Sequence, residues 1–449
     1  MGTQKNRKIR FFEIKNQLKT ATTALLFFVI GFHSYGQTLD LQTCLKMADT
    51  ANLTNRNSQL DIRSNLEQIK ASKAALAPKV NFVGDYRYYA LIPGNLFPAE
   101  FSGGQPGTYN VVKFGVPVNL GNTVQLNQTI YNPLLNSGLN TLDINQKIIE
   151  LQSRLTSQNI QYQVYQTFFN IQAISKQLTY VESNLKNIDK LIENVNLMIA
   201  QKMALPVEED KLKVNRLHLV NQQQKLVATK SQMESLMRIL TGMTPEAKFE
   251  LVSDDLIEKT ILIDASENHN IELDIINAQK ELNTTEKSGL KMAYLPTVSF
   301  YAAYNYSYNI RPETNFSKGI NSAYLGLRID WTLFDGLEKH NKAKVNRIQA
   351  EKLENQQELV QQQLTMATEN AKRQVEIQIN SLMISKEQLS LSEKIFNQTE
   401  ASFKEGVSSS TDLIKADNDL NQAQTNVISA YVQLRQAELD LLKSTGNLK

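Results

Sequence analysis

The sequence predicts a mainly α-helical protein that also carries membrane-type β-strands, arranged as two repeats of one plan. Three observations carry that expectation. Leu139 to Lys202 and Leu337 to Glu405 run for 64 and 69 residues with neither Gly nor Pro, the mark of long helices. Each is preceded by segments in which apolar and polar residues alternate, the period of a strand with one dry and one wet face. Short motifs recur in both halves at nearly constant offsets, as in an internal duplication.

The N-terminus reads first as a targeting segment. Lys5, Arg7, Lys8, Arg10, Lys15 and Lys19 form a basic start, Ala24 to Phe32 is a short apolar run, and Ser34-Tyr35-Gly36 offers small residues at a cleavage site. Residues 1–36 are therefore expected to be a secretory signal, with the mature chain beginning at Gln37; a short N-terminal anchor is the alternative. Without that segment the chain holds 42 basic and 44 acidic residues, a net of −2. The pI near 8.6 then reflects targeting, and no nucleic-acid partner is expected. Mean hydropathy is -0.34, and no later stretch approaches the roughly 18 apolar residues of a membrane helix.

The repeats organise the rest. Leu76-Ala77-Pro78-Lys79-Val80-Asn81-Phe82 resembles Leu295-Pro296-Thr297-Val298-Ser299-Phe300, with prolines 218 positions apart, and Asn52-Leu53 matches Asn270-Ile271 at the same offset. Ile130-Tyr131-Asn132-Pro133 resembles Leu333-Phe334-Asp335-Gly336 at an offset of 203, and Leu240-Thr241-Gly242 resembles Ser444-Thr445-Gly446 at 204. The first strand pair is thus longer by 15 residues, a surplus assigned to the Gly- and Pro-rich loop Pro93 to Gly107. The expected organisation is a first repeat over 37–242 (strand pair about 79–131, helical hairpin about 138–241), a linker over 243–260, and a second repeat over 261–449 (strand pair about 297–334, helical hairpin about 337–445).

The strands have the composition of a lipid-facing wall. Val298, Phe300, Ala302, Tyr304, Tyr306 and Tyr308 share one face; Leu325, Leu327, Ile329, Trp331 and Leu333 share another; their neighbours are mostly polar or small. In the first half Val80, Phe82, Tyr86 and Tyr88 oppose Asn81, Asp85 and Arg87, and Val124, Leu126 and Ile130 oppose Thr123, Gln125, Asn127 and Thr129. With Tyr89 and Trp331 the tyrosines suit an aromatic girdle. A soluble sheet packed on helices shares this alternation, but no helical stretch is apolar enough to form its second layer. Four strands cannot close a barrel, and open edges in lipid leave backbone groups unsatisfied, so copies must associate: two would supply eight strands, three twelve.

The long helices would reach ~95–105 Å if continuous. Val360, Leu364, Ala367, Ala371, Val375, Ile379 and Leu382 form a narrow stripe at coiled-coil spacing. The breaks Met203-Ala204-Leu205-Pro206-Val207 and Gly406-Val407-Ser408-Ser409-Ser410 turn each helix back into a return helix, the second expected to be capped by Ser410 or Thr411. Cys44 lies on an amphipathic start with Leu39, Leu41, Leu45 and Ala48 and reads as a small buried hydrophobe, with lipid attachment as the alternative.

Catalytic signals are missing. His33, His218, His269 and His340 stand apart without metal-ligand spacing, and the sequence has neither a phosphate-binding Gly-rich loop nor a nucleophile elbow. No enzyme activity and no cofactor are expected. Two functional classes remain, a passive duct and a structural or adhesive trimer with a coiled-coil stalk. Strand pairs in both halves favour the duct, because a stalk needs one anchor.

The repeat order, Leu39-Asp40-Leu41 with Ala48, the junctions at Pro78 and Pro296, Trp331-Thr332-Leu333-Phe334-Asp335-Gly336, and Gly406 with Asp412-Leu413 and Ala416 together resemble the TolC-like outer-membrane factor family over nearly all of the mature chain. That resemblance implies a homotrimer with a shared twelve-stranded barrel in outer-membrane lipid and an α-helical barrel in the periplasm. It also implies a periplasmic adaptor and an inner-membrane transporter of the RND or ABC type as partners. It makes the hairpin turns the periplasmic entrance. Asp412 matches an acidic position of the second hairpin, Lys415 stands where a second acid is common, and Met203 stands where the first hairpin has Gly, followed by Glu208, Glu209 and Asp210. Met203, Ala204, Leu205, Pro206, Gly406, Val407 and Ser408 are then the adaptor-docking tips. For the acids two readings stand side by side: a negative ring favouring cations, or carboxylates placed at helix N-termini.

Overall fold

The computed structural model describes residues 37–252 and 270–448. The expected signal at 1–36, residues 253–260 of the linker, and His33 and His269 lie outside the described residues. A short strand β1 (Gln37–Leu39) leads into α1 (Leu41–Ala51) and α2 (Leu53–Lys73). Four strands follow: β2 (Lys79–Tyr88), β3 (Gly94–Pro98), β4 (Tyr109–Lys113) and β5 (Val118–Tyr131). Helices α3 (Pro133–Ala200) and α4 (Pro206–Thr241) make the first hairpin, and β6 (Phe249–Leu251) ends that half. The second half repeats the plan with α5 (Ile271–Met292), β7 (Thr297–Arg311), β8 (Phe316–Asp330), α6 (Glu338–Lys404) and α7 (Ser410–Ser444). None of the described helices is long and apolar enough to cross a membrane.

Packing gathers these elements into two units, each drawing on both halves of the chain. One takes the described parts of Met1–Asn52, Ile160–Leu262 and Gln374–Leu439; the other takes those of Leu53–Asn159, Ile263–Arg373 and Asp440–Lys449. Helices α3 and α6 contribute to both.

In the second unit the sheet order is β2-β5-β7-β8, all antiparallel. The register carries the sequence alternation across every strand. Phe82 pairs with Val124, Val124 with Tyr304, and Tyr304 with Ala323; Tyr86 aligns with Leu120 and Tyr308. One face is therefore uncharged and mainly apolar, interrupted by Asn122, Gln128, Ser317 and Asn321, because a strand presents every second side chain to the same side. The other face carries amide and hydroxyl groups bonded to one another: Asn119 Nδ2 donates to Ser307 Oγ at 2.7 Å and Asn309 Oδ1 at 2.9 Å, and Thr123 Oγ1 donates to Asn305 Oδ1 at 2.8 Å. The 15-residue surplus folds as the separate hairpin β3-β4. Strand β8 stops at Asp330, so Trp331 and Leu333, expected within it, lie beyond the observed strand; the Trp331 indole N–H instead donates to the Tyr294 carbonyl at 3.0 Å.

Around the sheet, α2 packs on α3 through polar contacts. Asn65 Nδ2 donates to Gln146 Oε1 at 2.8 Å, and Asn55 is 4% exposed beside Ser157. Helix α5 meets α6 through a reciprocal pair in which Asn283 and Asn346 side chains each donate to the other's backbone carbonyl, at 3.3 and 3.1 Å. Gly289 of α5 admits Ser137 of α3, whose Oγ would lie 2.5 Å from a Cβ added there. Helix α3 starts at Pro133, earlier than the expected 138. Proline is tolerated at the first helical position, and Asn132 Oδ1 accepts from Leu135 N at 2.9 Å.

The repeat is visible in the caps, one in each unit. Gly242 and Gly446 both adopt positive φ, 68° and 74°. The preceding threonines both donate to the carbonyl four residues back, Thr241 to Met237 at 2.7 Å and, in the second unit, Thr445 to Leu441 at 2.8 Å. A Cβ at Gly242 would lie 2.5 Å from the Ala51 carbonyl oxygen, so this glycine lets α1 approach α4. Cys44 is buried, and burial pushes its thiol up to about 11, as fits a packing residue. Along α6 the covered stripe includes Leu353, Val360, Leu364, Ala371, Val375 and Leu382, but Thr368 and Gln378 occupy it where Ala367 and Ile379 were expected. The helical period drifts against a strict pattern of apolar letters, so polar residues take two of the covered positions.

Candidate functional site

The two hairpin turns lie in the first unit. The first turn leaves α3 through Lys202, which holds φ 59°, with Met203 N donating to the Met198 carbonyl at 2.8 Å. The second leaves α6 through Gly406, φ 75°, with Val407 N donating to the Ser402 carbonyl at 2.9 Å. These are the same helix-ending hydrogen bonds, so Lys202 occupies the place of Gly406 and Met203 that of Val407. The left-handed backbone suits glycine and strains other residues, and sequence matching alone put Met203 in that place. Pro206 opens α4, where its missing N–H costs nothing.

Apolar side chains project from both turns. Met203 is 65% exposed, Leu205 67% and Val407 79%; Pro206 and Gly406 are exposed, while Ala204 and Ser408 are half-covered.

The expected acids divide into different environments. The Glu208 carboxylate accepts from Ser410 Oγ and faces Lys211 Nζ at 3.2 Å, and that ammonium reaches Thr411 Oγ1 at 3.2 Å. Glu208 therefore ties the start of α4 to the start of α7. Glu209 pairs with Lys213 at 2.8 Å, and hydrogen bonds from Lys213 and Asn196 hold its carboxyl below the usual range. Asp210 is exposed. Asp412 accepts from Ser409 Oγ at 2.7 Å and Ser409 N at 3.2 Å, while its own N–H donates to Ser409 Oγ at 3.1 Å. This is a capping box. The cap is thus Ser409, with Ser410 turned to Glu208 instead. The Ser409 hydrogen bonds keep Asp412 below the usual carboxylate range, so it is ionised at neutral pH; Lys415 is exposed nearby.

Sequence reasoning missed a buried polar ladder behind the tips. Asp417 is 5% exposed; Asn215 Nδ2 donates to its Oδ2 at 3.0 Å and Asn421 Nδ2 at 3.2 Å. Asn184 of α3 donates in turn to Asn421 and to Gln424 Oε1, the latter at 2.9 Å. The ladder crosses a core of Ile188, Val195, Leu212, Leu219, Phe403 and Leu413. Its signal was present: Asp417 falls four residues after Leu413 and three before Leu420, on the covered face of α7.

Burial pushes the Asp417 carboxyl up to about 6, against 3.8 for an ordinary aspartate. The folded chain thus holds a proton there between about pH 4 and pH 6 that the unfolded chain has released, so stability falls as pH rises through that window and levels above it. The expected loss is on the order of 3 kcal/mol. Thermal unfolding of Asp417→Asn should lose this slope, and an unchanged pH profile would remove Asp417 as its source.

Among the described residues no group of three or more His, Cys, Asp or Glu could hold a metal ion. Long paired helices carrying an antiparallel sheet with one uncharged apolar face define the fold class of outer-membrane channels with helical extensions. Residues 274–447 match the family model described as outer membrane efflux protein, and no curated protein sequence matches the chain. Its fold is that of CusC, studied for transmembrane channel formation (TM-score 0.73, 12% identity, covering 91% of this chain and 93% of that one). It is likewise similar to the outer membrane protein VceC of Vibrio cholerae (TM-score 0.70, 11% identity, 90% and 96% covered) and to the open MtrE outer membrane channel of Neisseria gonorrhoeae (0.71, 14%, 91% and 89%). Residues 274–447 are thus similar to the outer membrane efflux protein family, and the chain carries the TolC-like fold.

Proposed function

We propose that the whole chain is one subunit of a passive channel-tunnel that exports small molecules or proteins through the outer membrane, with its helical portion in the periplasm. The sheet carries this reading. Its apolar face holds no charged residue in β2, β5, β7 or β8, and its two edge strands, β2 and β8, run in opposite directions. The β8 of one copy can therefore pair antiparallel with the β2 of the next, so that two or more copies can close the sheet without a mismatched edge. Three copies give twelve strands, within the range of membrane barrels. Exposed apolar residues on β8, Leu325 at 75% and Ile329 at 68%, would then face lipid.

The hairpin tips supply the periplasmic entrance. Met203, Leu205 and Val407 offer an apolar docking surface for a periplasmic adaptor, which couples the channel to an inner-membrane RND or ABC transporter. Asp412 and Asp210 supply negative charge there, while Glu208 and Glu209 are paired with Lys211 and Lys213 and Lys415 lies near Asp412. Because the sequence carries no phosphate-binding Gly-rich loop, energy and substrate choice are assigned to the transporter.

Reconstitution in planar bilayers tests this reading. Purified oligomers should give discrete, long-lived conductance steps and cross-link as trimers. Asp412→Ala should weaken block by multivalent cations added at the helical side. Folded trimers without conductance would favour the structural or adhesive reading, and block unchanged in Asp412→Ala would confine Asp412 to its cap.

A further inference from the structure

The four strands of the β2-β5-β7-β8 sheet sort their charges completely. Lys79, Arg87, Arg311, Lys318 and Arg328 all lie on the face opposite the apolar one, together with the acids Asp85 and Asp330. Strand β5 contributes no charge. Five basic residues against two acidic ones leave a net of +3 per chain on that face. Resting on the outer-membrane barrel reading, we infer that the barrel section of the duct is electropositive and favours anions.

Register concentrates part of this charge. Arg87, Asn119, Asn309 and Lys318 align in one row across all four strands, so both edge strands present a cation at that level. The amides between them are engaged with each other and with Ser307. Asp85 bonds Arg87 and offsets it locally, and no acid shares the row with Lys318. Arg328 stacks its guanidinium 5.3 Å from the Tyr301 ring centroid on the same face, which holds that cation against the wall. A water-filled lumen inside low-dielectric lipid focuses such charge onto passing solutes, and rings of Arg and Lys select anions as rings of Asp and Glu select cations. The solutes this section would favour are anions, whether small carboxylates, phosphorylated compounds or acidic segments of polypeptides; the class is defined by charge.

The test is the reversal potential of the full-length channel under a potassium chloride gradient. In Lys318→Gln/Arg328→Gln the chloride-to-potassium permeability ratio should fall by at least about twofold, with channel formation retained. A ratio equal to that of the unmodified channel overturns the inference while leaving the channel reading intact. Unmodified oligomers that form no channels overturn both. Should the double variant fail to assemble, the unmodified channel still decides: hexacyanoferrate added at the barrel side should block it in low salt and be relieved in high salt, whereas block from that side by hexaamminecobalt alone contradicts an electropositive wall.

Discussion

Truncating Glu438 to alanine is expected to cost about 3–5 kcal/mol of stability. Glu438 is fully buried on α7, and its carboxylate accepts from Arg435 at 2.6 Å, with the Arg435 side chain only 7% exposed. The guanidinium lies near two rings, 5.6 Å from the centroid of Phe169 on α3 and 5.1 Å from that of Tyr431. Removing the carboxylate strands a positive charge where water does not compensate it, and that desolvation exceeds the modest net value of the pair itself. Two controls separate the causes. Glu438→Gln keeps the shape and an acceptor and should lose less. Arg435→Met/Glu438→Leu removes both charges and should return close to the parent stability. Urea or thermal unfolding of the detergent-solubilised protein reads all three. A Glu438→Ala loss below about 1 kcal/mol would mean that the cation is hydrated there.

The second large effect concerns which face meets lipid. Tyr304 stands in the middle of β7 on the apolar face, between Val124 and Ala323, and its neighbour Asn305 points to the polar side. Arginine on a lipid face near the bilayer midplane costs about 2–4 kcal/mol, and the cost recurs in every copy of a shared barrel. Tyr304→Arg should therefore abolish stable oligomers in the outer-membrane fraction, while Asn305→Arg should assemble and alter conductance only. The reverse pattern would invert the wall and, with it, the sign of the lumen.

Much of this architecture was legible because it rests on local periods. Alternation every second residue marked the faces of β7 and β8, and their register then joined Tyr304 to Val124 and Ala323 as that alternation requires. The motif Leu240-Thr241-Gly242 predicted its counterpart at Thr445-Gly446, since both encode the same cap. Composition was a weaker guide where tertiary geometry chose among neighbours. Ser409 caps α7 because Ser410 is turned to Glu208, and Lys202 takes the left-handed turn although glycine serves the second hairpin.

What the amino-acid order determined by itself was the repeat, the element types and the uncharged, mainly apolar face. These follow from spacing along one strand or one helix, which distant residues do not change. What only the tertiary structure decided was the fate of polar side chains on covered faces. Asp417 finds Asn215 across a helix–helix contact, and Glu438 pairs with an Arg435 that itself lies near two aromatic rings. Whether such a group is solvated or buried depends on which helix lies against it, and charge changes its cost most steeply when water is removed.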